Sequence, residues 1–146
     1  KGFGKVLLNT SGGDYHGVNA MVNLCDPKSR EKVDIKVQED FGQRLVDFTV
    51  DMFNTHVQSK EIDPDQITLA VMSEPVPGFS RNIADSVGLK CRLVDDLYET
   101  YGNVLSSALP LGYHLALEKQ LLSENDTLLF IGAGSGLTFA CSLYKA

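Results

Sequence analysis

The chain has 146 residues, 43% of them hydrophobic, which is enough for one domain that buries a core without disulfides or a structural metal. Its formal charge of -6 excludes a general electrostatic grip on nucleic acid, because neutralising phosphates takes clustered Lys and Arg and the sequence holds no such cluster. Its apolar runs are strand-length and punctuated by glycine, well short of the ~20 residues that span a bilayer, so nothing reads as membrane-spanning.

The first residues, Lys1-Gly2-Phe3-Gly4, carry neither an initiator Met nor a basic-then-apolar signal pattern, and they read as an internal point of a longer protein. Residues 5–8 form a short apolar strand that feeds the turn-forming cluster 9–14. Over residues 39–59, Phe41, Leu45, Phe48, Met52 and Phe53 recur at helical spacing between polar residues, which predicts an amphipathic helix. Asp63-Pro64-Asp65 breaks the chain, and residues 67–72 then make an apolar run of strand length, typical of a parallel strand covered on both faces.

Pro75 and Pro77 keep the next segment extended, so a short helix begins near residues 78–80 and runs to about Val87, with Gly88 as its stop. A strand follows at residues 91–94, then a turn at Gly102-Asn103. Residues 105–122 show helical periodicity through Leu109, Leu111, Leu115 and Leu122, with Ser106 and Ser107 as caps and Pro110 in the first turn. Two strands close the chain, 127–131 and 137–144, and the glycine-rich link 132–136 either turns them into a hairpin or lets them diverge. The order βαβαβαββ predicts the α/β class: a five-stranded mixed sheet with helices packed on it.

Chemistry-bearing residues are sparse. Cys25, Cys91 and Cys141 are odd in number and widely spaced among apolar residues, as expected of reduced thiols in a cytoplasmic protein. His16, His56 and His114 have no metal-site spacing, so no metal is expected and each reads as structural or solvated. The glycines at 132–136 precede a strand rather than a helix, which argues against a phosphate or dinucleotide loop.

Two stretches carry a family resemblance: Tyr101-Gly102-Asn103 followed by Pro110, and the run from Leu128 through Gly132-Ala133-Gly134-Ser135-Gly136 to Thr138. They are similar to the His-Gly-Asn turn, the helix proline and the closing strand, glycine-rich turn and Thr-bearing strand of the beta-ketoacyl-acyl carrier protein synthase III family of thiolase-fold condensing enzymes. The resemblance covers residues 1–146 as the carboxy-terminal half, with the amino-terminal half lying outside the chain, and it implies a thiolase-like half-fold. It further implies an acyltransferase of fatty acid or lipid metabolism: a thiolate takes an acyl group from a thioester, and the carbanion left when malonyl thioester loses carbon dioxide attacks it. That nucleophilic Cys belongs to the other half, so the isolated chain is expected to be inactive.

By the same resemblance Asn103 stands at the family's catalytic Asn, which helps hold the thioester oxygen as it becomes an enolate. The residue pattern alone also allows a simple tight turn with Asn in left-handed geometry. Ser73 stands where the family has its His; a hydroxyl donates one hydrogen bond but does not titrate near neutral pH. Phe41, Gly134 and Gly136 are the implied substrate-binding positions. Glu74 reads as an exposed loop carboxylate, with a general-base role as the alternative, and Arg81 is the one positive residue on its helix, opposed by Asp85. The implied partners are coenzyme A or acyl carrier protein thioesters, the amino-terminal half and a second copy in a homodimer, with no resident cofactor, no nucleic acid and no membrane. The alternative is a degenerate, non-catalytic thiolase-fold partner subunit or acyl-binding module, suggested by Ser73.

Overall fold

The structure, a computed structural model, describes residues 2–10, 18–21, 34–95, 97–134 and 136–146, with side chains from residue 38 onward. Its elements are β1 (Gly2–Thr10), β2 (Val18–Met21), β3 (Asp34–Val37), α1 (Phe41–Gln58), β4 (Leu69–Met72), α2 (Phe79–Val87), β5 (Arg92–Val94), α3 (Leu97–Tyr101), α4 (Ala108–Glu118), β6 (Thr127–Gly134) and β7 (Thr138–Lys145). His16, Cys25 and Ser135 lie outside the described residues.

Strand β4 is the centre of the sheet. All four of its residues are buried, as a strand covered on both faces requires. It pairs in parallel with β5 on one side and β6 on the other, Leu69 lying opposite both Arg92 and Leu128. β7 folds back antiparallel on β6, so β4 to β7 make a mixed sheet, and the backbone of β1 adds antiparallel to β7 to give the order β1-β7-β6-β4-β5.

Strand alternation assigns the two faces. Ala70 and Met72 of β4, Leu129 and Ile131 of β6, and Phe139 and Cys141 of β7 join a core under α1 and α2 with Phe41, Leu45, Phe53, Phe79 and Ile83. Leu69, Val71 and Leu128 turn the other way and meet Val94, Leu97, Leu115 and Ala116, from β5, α3 and α4. The buried row of α1 is Phe41, Leu45, Thr49, Phe53 and His56, while Phe48 and Met52 of the expected stripe are only half-buried. His56 serves structure: its Nδ1 lies 2.6 Å from Glu61 Oε2 and its ring stacks on Phe139 with centroids 6.0 Å apart.

Helix α2 ends where expected. Gly88 is left-handed at φ +67° and Leu89 N–H donates back to Ala84 O at 2.9 Å, the hydrogen-bond pattern that closes a helix on a glycine.

Several expectations need correction. The string βαβαβαββ omits the separate β2–β3 pair between β1 and α1 and the one-turn helix α3. The link between the last strands is shorter than 132–136, because Gly132–Gly134 continue β6 in register with β7 and the connection is a hairpin. Helix α4 is shorter than 105–122: residues 105–107 are a 3-10 turn with Leu105 at φ +55°, and the helix stops at Glu118, where Leu121 N–H bonds Ala116 O and Gln120 is left-handed. Ser107 makes no side-chain cap. Among the described residues no helix is long and apolar enough to cross a membrane.

Gly112 brings α4 down onto the sheet. A Cβ at this position would sit 2.5 Å from Val71 Cγ1 and 3.3 Å from Leu97 Cδ1. Val71 is β-branched and fully buried, so it has little room to yield. Overpacking of this kind costs about 1–3 kcal/mol, and the better helix propensity of alanine returns about 1 kcal/mol at most. Gly112→Ala should therefore lower the midpoint of denaturant unfolding; an unchanged or higher midpoint would show that α4 is free to move off β4.

Candidate active site

The parallel strands β4 and β6 and the helix α3 after β5 deliver their next residues to one end of the sheet, the carboxyl end, where open α/β sheets place ligands. A cavity of about 700 Å³ lies there. Ser73 and Pro75 enter it from the end of β4, Gly132 to Gly134 from the end of β6, Thr138 and Ala140 from β7, and Tyr98 and Asn103 from α3 and the turn after it. Phe41 from α1, with Val76, Leu105 and Leu109, adds an apolar lining. Four of the expected site residues, Phe41, Ser73, Asn103 and Gly134, thus converge on one space.

Gly136 is not among the lining residues; it sits in the β6–β7 turn at φ +83°, where an L side chain would be strained. Gly134 has no such left-handed backbone, and an added Cβ there would meet nothing within 4 Å. The glycine there leaves volume open.

Ser73 extends the β4–β6 ladder by means of its side chain. Its backbone N–H donates to Ile131 O at 2.8 Å, its Oγ accepts from Ala133 N–H at 2.8 Å, and its hydroxyl donates to Ala133 O at 3.2 Å. The one hydroxyl proton is therefore engaged with the strand, and the role that remains to the oxygen in the cavity is that of an acceptor.

Asn103 is held by both ends of its amide. Oδ1 accepts from Leu105 N–H at 2.9 Å, and Nδ2 donates to Pro75 O at 3.3 Å. An amide NH₂ carries two hydrogens, so one N–H is left after the Pro75 bond. The positive φ angles of this turn belong to Gly102, at +71°, and Leu105, not to Asn103. Left-handed geometry is thus not the reason for an Asn here; the side chain is used to close a turn on Leu105 and to reach the loop after β4.

Glu74 overturns its reading as an exposed loop carboxylate. It is 2% exposed, its Oε2 accepts from Phe79 N–H at 3.1 Å and its Oε1 accepts from Ser80 N–H at 3.2 Å and from the Ser80 hydroxyl. Helix α2 begins after Gly78, which has no side chain to cap with, so the carboxylate reaches in from four residues earlier to satisfy the orphan donors of the first turn. Burial pushes the Glu74 carboxyl above its ordinary range, against the opposing pull of the three hydrogen bonds. A bare Gly at the cap with an acid shortly before it was the available sequence signal, and the intervening prolines hid it.

Other candidates drop away. Arg81 pairs with Asp95 across the end of β5 rather than facing Asp85. Cys141 is buried in the first core, and the half-buried Cys91 has its thiol pKa raised by burial, which lowers the thiolate fraction. His114 lies 3.5 Å from Glu118 on the exposed side of α4. Among the described residues no group of three or more His, Cys, Asp or Glu side chains gathers to hold a metal.

This architecture has close parallels among solved structures. Those of 3-oxoacyl-(acyl carrier protein) synthase III from Thermus thermophilus and Pseudomonas aeruginosa superimpose with TM-scores of 0.74 and 0.72 at 18% and 17% identity, covering 99% and 96% of this chain and 46% and 43% of theirs. A tetronic acid condensing enzyme, AbyA1, aligns over 99% of this chain and 46% of its own with a TM-score of 0.71 at 13% identity. The fold is thiolase-like α/β. In sequence, the beta-ketoacyl-(acyl-carrier-protein) synthase III of Staphylococcus haemolyticus is 24% identical over 140 residues, and that of Staphylococcus epidermidis 23%. Each alignment takes in 92% of this chain and 40% of the relative, so the chain spans well under half the length of the curated proteins it matches. The family described as 3-oxoacyl-(acyl-carrier-protein (ACP)) synthase III C terminal matches residues 57–146, from the end of α1 through Ser73, Asn103 and the β6–β7 hairpin, and it is to this family that the chain belongs.

Proposed function

We propose that this chain is the carboxy-terminal part of a ketoacyl synthase III-type condensing enzyme, and that it contributes the donor which steadies the thioester oxygen during carbon–carbon bond formation. The observation that carries this reading is Asn103: it borders the cavity, its amide orientation is fixed by Leu105 N–H and Pro75 O, and one N–H is left to donate. Membership of the family supports it.

In the proposed reaction a cysteine thiolate from the remainder of the parent protein attacks an acyl thioester, the carbon–sulfur bond to the carrier breaks and the carrier thiolate departs. Malonyl thioester then loses carbon dioxide, and the electron pair of the broken carbon–carbon bond moves into the thioester carbonyl as an enolate. The enolate carbon attacks the acyl-enzyme carbonyl, forms the new carbon–carbon bond and expels the cysteine thiolate. Asn103 donates to the enolate oxygen where charge develops, the kind of contact worth more in the transition state than in the ground state. Phe41, Val76, Leu105 and Leu109 present apolar surface to the substrate, and Gly134 keeps the wall thin. The substrates are coenzyme A or acyl carrier protein thioesters, no resident cofactor is called for, and the parent works as a homodimer.

Ser73 gives the non-catalytic alternative its one specific support, since its proton is held by Ala133 and it brings no titrating group to the cavity. Chemistry decides between the two. The full-length protein incubated with a panel of acyl-coenzyme A thioesters should gain the mass of one acyl group in intact mass spectrometry; no adduct with any of them would favour a binding module.

Asn103→Ala in the full-length protein should slow malonyl decarboxylation about 10²–10³-fold, the usual loss for one such donor, while acyl loading proceeds, because loading does not pass through the enolate. Equal loss of both steps would move Asn103 out of this role. Ser73→His breaks two hydrogen bonds to Ala133, each worth about 0.5–1.5 kcal/mol, so thermal stability should fall; a rise in malonyl decarboxylation would show that the site lacks only an imidazole.

A further inference from the structure

The loop from Ser73 to Gly78 carries a buried carboxylate that the reaction above does not use. Glu74 lies between two residues of the cavity wall, Ser73 and Pro75, yet its own side chain faces away from them, clasped to the first turn of α2 through Phe79 N–H, Ser80 N–H and the Ser80 hydroxyl. The next residue, Pro75, supplies the carbonyl that takes an amide hydrogen of Asn103. The peptide that orients Asn103 is therefore pinned on one side by the Ser73–Ala133 bridge to β6 and on the other by the Glu74 clasp to α2. Asn103 has a firm partner at only one end of its amide within its own turn, the Leu105 N–H. Among the described residues, the other hydrogen bond that fixes its rotation comes from the loop across the cavity.

We infer that Glu74, with Ser80, is a positioning residue for Asn103: it sets the place of the Pro75 carbonyl and through it the direction of the free Asn103 N–H. This rests on the reading of Asn103 as the enolate donor. A clasp between a buried carboxylate and helix donors suits the purpose, because hydrogen bonds to a charged acceptor are stronger than those between neutral groups. Pro75 passes the constraint on, since its ring fixes its own φ and so removes one of the backbone rotations between Glu74 and the Pro75 carbonyl. The short sequence Glu74-Pro75 thus links the start of α2 to a side chain twenty-eight residues further along the chain.

A double-mutant cycle in the full-length protein tests this, read as malonyl-coenzyme A decarboxylation. Glu74→Ala alone should lower kcat about 100-fold, the order of loss for an ångström-scale misplacement, with KM little changed. In the Asn103→Ala background the same substitution should cost less than about threefold, because residues acting through one another are not additive. Ser80→Ala removes one of the three bonds and should give an intermediate loss, and Glu74→Gln, which keeps an acceptor, should recover part of the activity. Thermal melts accompany each variant, and Ser80→Ala serves if Glu74→Ala does not fold. Equal fold-losses with and without Asn103 would overturn the inference while leaving the role of Asn103 intact. An Asn103→Ala protein as active as wild type would overturn both.

Discussion

The loop that leaves β4 has to satisfy its polar groups where the strand ladder ends, with Glu74 buried and Ser73 and Pro75 half-buried, and the shape of the cavity follows from how it does so. A buried backbone donor or acceptor without a partner costs about as much as a lost hydrogen bond. Past Met72 the β4–β6 ladder runs out, and the Ser73 hydroxyl takes over as a side-chain rung on Ala133. Two residues on, Pro75 has no N–H to satisfy and its carbonyl goes to Asn103. Between them Glu74 turns the opposite way and meets the first-turn donors of α2. The loop alternates inward and outward, and the cavity is the space left on the inward side.

That alternation explains why a carboxylate is tolerated at 2% exposure. Removing an ion from water costs several kcal/mol even after relaxation, and the direction of the Glu74 shift shows the burial still felt. Donors at the start of a helix offset it, since three of them point at the two carboxyl oxygens and the helix dipole favours negative charge there. Gly78 has no side chain with which to cap its own helix, and Glu74 supplies the acceptors instead. The left-handed φ of +69° at Gly78 lets the chain double back so that the first turn of α2 faces Glu74.

The legible part of the sequence was the part governed by one periodicity at a time. Residues 67–72 read as a covered parallel strand because all but Thr68 are apolar, and Leu69–Met72 of that run form it, while α2 read correctly because Gly88 has one physical use there. The Leu105–Leu122 pattern misled because Leu122 still packs against the second core without being helical. Leucine spacing records which residues are buried, not which backbone carries them. Leu105 could not be foreseen as a left-handed residue, since its N–H is captured by Asn103 Oδ1, an interaction that depends on the side chain two residues earlier. Phe41, Asn103 and Gly134 came to the cavity through resemblance, whereas the bridge of Ala133 to Ser73 was invisible because its partners lie sixty residues apart, and the cap by Glu74 was hidden by the prolines between it and Gly78.

Ser73 is where fold and chemistry ask different things of one position. For the fold, a small side chain that can both give and take a hydrogen bond is ideal at the end of β4, since it pairs with both the N–H and the C=O of Ala133. An imidazole at the same place could not do this in one plane without leaving the ladder, because in its neutral form one ring nitrogen donates and the other accepts from opposite sides of the ring. A His here would leave the two Ala133 groups without the hydrogen bonds that the serine gives them. The serine therefore ties the cavity floor to the sheet and brings no titrating group to it, and on the reading proposed above the stabilising of charge within this chain falls to Asn103. The rigidity of the loop that aims Asn103 consequently matters more than it would beside a second donor.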